Sequence, residues 1–548
     1  MTRLRLAARA LAAFGIAVAL TGAAPPPPPP SGVAADAGPP VAAPRGVPLR
    51  PRAEITPYLE VNQVVSAALG DGGDVVTYTA LAAGVDGRMQ TRRVTVQASY
   101  RYERRIEWSG DLPQSDAHSG IVMAAVEAVP NALNLEAGAM ATRSGVDGRS
   151  VLTPRDPAVT VYSVYGGPTL STHAGPVAVN ASYKLGYVTI DDASLAGIDY
   201  GDSVAHSASA SVGMAPGELP VGWTVAAGYA REESGELENR FEGKYARADV
   251  VVPVGPTLAV TGGVGYEEIQ SSQLDVVRTS GGVPVVTPGG RLIPDPTAPR
   301  LLAYEQSGII WDVGVIWRPS PRTELQARGG RRYGGTTVTG SLQHQFVNGD
   351  GLGIRVYDGV DTFGRLLISD LSGLQGGFDV NRDPFSGAIG GCVFGEDPGT
   401  GVCFDQALQR ISGATFRNRG GTIIYSGERG PWTFGVGAGF SHRRYFRPVS
   451  GNFATAGPRT DRSFSLNGGI DRALGRSASA GVDVFASWYD SDIGAVDGIF
   501  ATGITGNYYR AFLLERLQMR AALGLYHSDA GTIDSTVASG LLGLRYSF

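Results

Sequence analysis

Between Thr91 and Trp108 the chain alternates polar and apolar side chains almost without a break. Arg93, Thr95, Gln97, Ser99, Arg101, Glu103, Arg105 and Glu107 hold the odd positions, and Val94, Val96, Ala98, Tyr100, Tyr102, Ile106 and Trp108 the even ones, with Arg104 the exception. Only an extended strand sends successive side chains to opposite faces, so this segment is one strand with two chemically opposed surfaces. Strands of soluble sheets run to about 5–6 residues, whereas a strand tilted across a bilayer needs roughly 9 to 11. The length predicts a membrane-crossing strand.

The same period recurs along the chain. Leu258, Val260, Val264 and Tyr266 oppose Thr261, Gly263 and Glu267; Leu237, Phe241 and Tyr245 oppose Glu238, Arg240, Glu242 and Lys244. Further on, Phe434, Val436, Ala438 and Phe440 oppose Gly435, Gly437, Gly439 and Ser441, and Leu517, Met519, Ala521, Leu523 and Leu525 oppose Gln518, Arg520 and Gly524. Ile309, Trp311, Val313, Val315 and Trp317 share a face with a tryptophan near each end, the pattern of two interfacial aromatic girdles. The chain closes on Leu542, Leu544, Tyr546 and Phe548, again on one face. This ending resembles the last strand of bacterial outer-membrane barrels, where a terminal Phe and an aromatic two residues earlier are read by the barrel assembly machinery.

Strands in lipid must close on themselves, because an open edge would leave unpaired N–H and C=O groups in hydrocarbon. The expected fold is therefore an all-β transmembrane antiparallel barrel occupying 54–548, with apolar faces toward the bilayer and polar faces toward the lumen. About 20 residues per strand and turn give roughly 18–22 strands. Short breaks such as Pro168, Gly175-Pro176, Gly255-Pro256, Pro319 to Pro321 and Gly430-Pro431 read as hairpin turns. Two longer stretches, 270–303 and 348–411, lack sustained alternation and are expected to be long loops, outside or folded into the lumen. Within the second, Val360, Phe363, Leu367, Leu371 and Leu374 have helical spacing, predicting an amphipathic helix that either enters the lumen or forms an external cap.

The N-terminus carries Arg3, Arg5 and Arg9, the apolar run Leu11 to Leu20 and small residues to Ala24, the layout of a signal peptide over 1–24. The cut site stays open between Ala24 and Ala37. Residues 25–53 form a Pro/Ala-rich linker expected in the periplasm. No run approaches the roughly 20 apolar residues of a membrane helix. The two cysteines, Cys392 and Cys403, lie in one Gly/Asp/Pro-rich stretch of an exported chain, which predicts a disulfide-stapled loop. A net charge of −5 gives no case for nucleic acid.

With these segments in view, the chain resembles the β-barrel porins that accompany bacterial exopolysaccharide and PEP-CTERM sorting systems. The residues that carry the resemblance are Ile55 to Val61 (ITPYLEV), Tyr165 to Ser171 (YGGPTLS), Leu301 to Tyr304 leading into Trp311, Trp317-Arg318-Pro319, and Arg331 to Gly334. It covers most of the chain from about residue 54. It implies an outer-membrane pore linked to exopolysaccharide export or surface assembly, and names no solute.

Chemistry-bearing residues are sparse. The histidines form no metal-binding spacing, and no cofactor is expected. Ser171 with His173, Asp116 with His118 and His527 with Asp529 share a strand face, yet none belongs to a hydrolase motif, and Gly201 to Val204 (GDSV) lacks the α/β context of an esterase. Asp379, Asn381 and Asp383 have calcium-loop spacing, but Pro384 and Gly390 stand where a Gly and a bidentate Glu are required. The informative constellation is charged strand faces. Arg93, Arg101, Glu103, Arg105, Arg240, Glu242, Arg322, Glu324, Arg328 and Arg520 are the candidate pore-lining residues. They suit either weak charge selection for small solutes or anionic polysaccharide, or an interior salt-bridge network. The expected function is a passive or gated pore, the alternatives being a non-conducting structural or adhesive barrel and, with Ser171 and His173, a hydrolase.

Overall fold

The computed structural model describes residues 52–548 except 70–73, 111, 113–114, 146–155, 157, 192–199, 236, 288–291, 375–376, 390, 449–458, 493–497, 514–515 and 532–533. The expected signal peptide and the linker as far as residue 51 lie outside the described residues; Arg52 and Ala53 already belong to the first strand.

Twenty-two antiparallel strands form one sheet in which each pairs with its neighbours in sequence, and the first closes on the last. Arg52–Ala68 pairs with Asp534–Ser547 through Leu59 opposite Tyr546 and Val61 opposite Leu544, and the Phe548 N–H donates to the Pro57 carbonyl at 3.1 Å. The chain's end is thus the seam of the barrel. Closure removes both sheet edges, and the even strand count puts the beginning of the first strand and the end of the last on the same rim.

That rim is the turn end, where hairpins are tight: 91–93, 175–176, 321–322 and 430–431. Pro168, read above as a turn, lies instead inside the strand Ala158–Ala174, opposite Leu135. The opposite rim carries the longer connections. The outward faces are apolar as the alternation requires: Ile309 is 73% exposed, Val313 59%, Leu523 74% and Phe548 64%. Trp311 and Trp317 stand on this outer face at either end of an Ile/Val row. In water such a belt would be a severe liability. Beside hydrocarbon it is the expected surface.

Both loop boundaries move. Leu258–Gln273 and Leu301–Ser320 run as strands into the segment read as 270–303, which carries a short ladder of its own, Asp275–Val276 with Pro294–Asp295. Gly351–Asp361, assigned above to the 348–411 loop, is a barrel strand between Gly335–Gln345 and Phe416–Arg429. Its outward residues Leu352, Ile354 and Val356 are few, and glycines opposite them weaken the contrast between faces. The true insertion is 362–415. It contains α1 (Phe363–Ser372), a three-stranded sheet (Phe378–Asp379, Cys392–Gly395 and Gly401–Cys403) and α2 (Asp405–Leu408).

Candidate functional site

The insertion lies inside the barrel, and sequence features on both sides explain why it fits. Phe363, Leu367 and Leu371 on one face of α1 are fully buried against lumen-facing Ile121, Val159, Val161 and Val188. These wall positions are apolar where an open aqueous pore would be polar, and burying such side chains stabilises docking by about 1.5–3 kcal/mol each. The start of α1 is capped by the wall. Thr362 makes no side-chain cap of its own; its hydroxyl donates to the Glu232 carboxylate, which also accepts the Arg365 N–H at 2.9 Å. One of the helix's free N–H groups, that of Arg365, is thereby tied to a barrel strand.

The hairpin Cys392–Gly395/Gly401–Cys403 is stapled by the Cys392–Cys403 disulfide between directly paired residues. It rests on the Gly435, Gly437, Gly439 row. A Cβ on Gly435 would come within 2.8 Å of the Phe394 ring, and one on Gly437 would overlap the Cys392 sulfur. The row therefore makes room for the plug rather than for solute. The hairpin tip reaches the turn end, where Gly399 N–H donates to Ser426 Oγ at 2.8 Å and Glu396 pairs with Arg88. The plug thus runs the length of the lumen.

Between the short strand Phe378–Asp379 and the first strand of the hairpin, residues 382–389 are held by the wall. Arg382 donates to the Ser99 carbonyl at 2.8 Å, while Arg105 and Arg143 both donate to the Ser386 carbonyl, at 3.0 and 2.9 Å. Tyr526 donates to Asp383 Oδ2 at 2.7 Å.

The candidate pore-lining residues separate into three groups. Arg101, Glu103 and Arg105 face the lumen, and with Glu60 they form a continuous chain in which Glu103 lies 2.7 Å from each arginine. Arg328 joins a closed ring with Arg247, Asp249 and Asp312 at 2.5–3.1 Å. Glu324 pairs with Arg318 at 2.9 Å, and Arg520 approaches Glu60 at 3.9 Å. These are lumen residues, most of them committed to ion pairs.

Arg93 and Arg322 lie in tight turns at the turn end rather than on a lumen face. Arg240 and Glu242 point outward, while Phe241 and Tyr245, expected toward lipid, point in. Buried Arg247 and Asp249 set the phase of that strand, and its outward face is charged near the loop end (Arg240, Glu242, Lys244) before turning apolar at Ala246, Ala248, Val250 and Val252. A strand longer than the apolar belt carries polar residues on both faces beyond it, which hides the phase from local alternation.

Several of the residues weighed for hydrolysis and metal binding are engaged by other groups. Ser171 donates to Asn180 at 2.9 Å. Asn381 donates to Asp483 at 2.6 Å, and Asp383 Oδ1 accepts the N–H groups of Phe385 and Ser386, so these two are spent on protein contacts. Among the described residues no group of three or more His, Cys, Asp or Glu is placed to hold a metal ion. Sequence reasoning missed Glu60, Arg143, Glu232 and Arg382. The first and third have the parity of lumen residues, but Arg382 lies where no period exists.

Space remains around the plug. A cavity of about 460 Å³ opens between segment 378–384 and the wall at the seam, lined by Tyr58, Arg101, Arg382, Tyr509, Arg520 and Arg545 among others. On the far side, Ser341 and Gln343 lie across from lumen-facing Gln326 and Glu324 and remain exposed, forming a polar strip beside the plug.

No protein-family model matches the chain, and no curated protein matches it. Among solved structures it is similar to the FrpB iron transporter from Neisseria meningitidis (F3-3 variant), at 10% identity over 90% of this chain and 82% of that one, with a TM-score of 0.42. It is similar to the ferric-catecholate import receptor Fiu from E. coli K12 in its closed form, at 9% identity over 89% and 82%, with a TM-score of 0.44. OccAB1 from Acinetobacter baumannii gives 10% identity over 90% and 97%, with a TM-score of 0.29.

Proposed function

We propose that this chain is an outer-membrane pore whose conductance is set by its own inserted segment, 362–415. Small polar solutes pass beside the plug or when it shifts. The observation that carries this reading is the way the insertion is held: an apolar helix face on an apolar wall patch, a wall carboxylate as helix cap, and a disulfide hairpin over a glycine row. Placement in the outer membrane is supported by the closed sheet with its apolar outer belt and the signal-peptide pattern of 1–24. In this reading Trp311 and Trp317 mark the two interfaces, and Tyr546 with Phe548 present the seam strand to the assembly machinery. A link to exopolysaccharide export or PEP-CTERM-associated assembly rests on the sequence resemblance alone.

The competing reading, a non-conducting structural barrel, is favoured by how much of the lumen the plug fills. Planar-bilayer recording separates them. The full chain is expected to give small stepwise conductance, and a variant with 364–413 replaced by a short Gly/Ser linker a several-fold larger one. Silence from both proteins, each folded and heat-modifiable, would sink the pore; equal conductance would show that the insertion neither gates nor seals.

A further inference from the structure

The cavity at the seam is bounded on one side by the plug and on the other by six wall strands, and its arginines are unequally satisfied. Arg101 is held by Glu60 and Glu103, Arg88 by Glu396, and Arg545 by Asp86 at 2.6 Å. Arg382 and Arg520 are different. Arg382, on the plug, donates only to the Ser99 carbonyl and hydroxyl and has no carboxylate partner among the described residues. Arg520, on the wall, has its nearest carboxylate oxygen 3.9 Å away on Glu60, which Arg101 already engages. The Nε of each is buried without a hydrogen-bond partner, as is that of Arg545, so what sets Arg382 and Arg520 apart is the lack of a close carboxylate.

A guanidinium carries five donors in a planar fork, and a buried one left without an anion is costly. Burial depresses the affinity of Arg382 for its proton, and the nearby positive charges of Arg101 and Arg545 add to the effect, while Tyr58 and Asp86 oppose it. Carboxylates do line the cavity, but the inner ones are engaged: Asp383 accepts from Tyr526 and two backbone amides, and Asp86 accepts from Arg545 and Ser99. Glu54 and Asp379 lie exposed at its mouth. Beyond the arginines the lining offers the Gln518 amide and the Tyr509 ring and hydroxyl, which suit hydroxyl groups, while Gln97 and Asn381 are engaged by the Phe378 backbone and by Asp483.

We propose that this cavity is a binding subsite for a small hydroxylated anion, a sugar-sized carboxylate or phosphate, held between Arg382 of the plug and Arg520 of the wall. The inference rests on the pore reading for its place in transport, but not for binding itself. The volume, about 460 Å³, lies in the range of small-ligand sites. Bidentate guanidinium contacts to carboxylate or phosphate are among the stronger hydrogen bonds available to a protein. Because one arginine sits on the plug and the other on the barrel, an anion bound to both ties the two together.

Isothermal titration of the folded, full-length barrel in detergent tests this with glucuronate, glucose 6-phosphate, inorganic phosphate and glucose as probes. Glucuronate or glucose 6-phosphate is expected to bind at least ten-fold more tightly than glucose, with Arg382→Gln and Arg520→Gln each weakening it about ten-fold or more. Arg476→Gln, in an exposed turn, should leave binding unchanged. Binding of inorganic phosphate as tight as that of the sugar acids would assign the site to a bare anion and overturn the hydroxyl part. Equal affinity for glucose and glucuronate, or indifference to both substitutions in variants that keep the heat-modifiable barrel and the disulfide, would overturn the subsite. Titration reads binding without conductance, so a silent barrel that binds glucuronate would refute the pore and leave the subsite standing.

Discussion

Glu232, on a barrel strand, accepts the backbone N–H of Arg365 at 2.9 Å and so caps a helix that belongs to the plug. Wall and insertion therefore share a local helix-ending interaction that most proteins keep within one segment. Removing it should loosen the plug without opening the sheet. Glu232→Ala is expected to cost plug docking about 1–3 kcal/mol, a shift of roughly 5- to 150-fold between docked and displaced states. Single-channel recording should find longer or larger openings, and limited proteolysis faster cleavage within 362–415.

Gly437 faces the disulfide. Gly437→Val would place side-chain atoms where Cys392 and Cys403 sit, and a stapled hairpin cannot yield as a flexible side chain would. The barrel should still assemble, because the strand's outward residues are untouched. Conductance is expected to rise toward that of the plug-deleted variant; an unchanged trace would mean that the hairpin does not rest on the glycine row.

Asp370 on α1 is pushed up to about 7, chiefly by burial, with Arg355 opposing, Asp361 adding and Arg443 opposing. A displaced helix returns this carboxyl to its ordinary value near 4. The docked state then holds its proton more tightly, so this contribution to docking is full below about pH 4 and lost as pH rises through about 7. Open probability should increase between pH 5 and pH 8, and Asp370→Asn should flatten that rise. A wild type with pH-independent gating would refute the assignment.

The ring of Arg247, Asp249, Arg328 and Asp312 joins three strands with all four side chains largely buried. Deleting one member strands the others, at a cost of about 3–5 kcal/mol. Arg328→Ala should lower the temperature of the folded-to-unfolded gel shift, whereas removal of the exposed Arg104–Asp116 pair should barely move it.

Much of the architecture is legible because a strand's period is two and lipid demands that one face be apolar. The rows Ile309 to Trp317 and Leu517 to Leu525 sit outside as their alternation requires, and the terminal strand closes on the first. Legibility fails where that demand stops. Beyond the apolar belt both faces are polar, so Arg240 and Glu242 are misassigned. At Gly351–Asp361 the glycines that admit the plug blur the pattern. The helix was visible in its spacing, but nothing local distinguishes a helix that enters the lumen from one that caps it.

The sequence by itself determined that the chain forms long two-faced strands with an apolar outer surface, because side-chain alternation is a local property and the demand of the solvent is uniform along the belt. Only the tertiary structure decided what the inner surface is for. Glu232 meets Arg365 across more than a hundred residues of chain, Gly437 meets Cys392, and Arg382 meets Ser99. Such contacts depend on which strands curve around to face one another, and no local period encodes that.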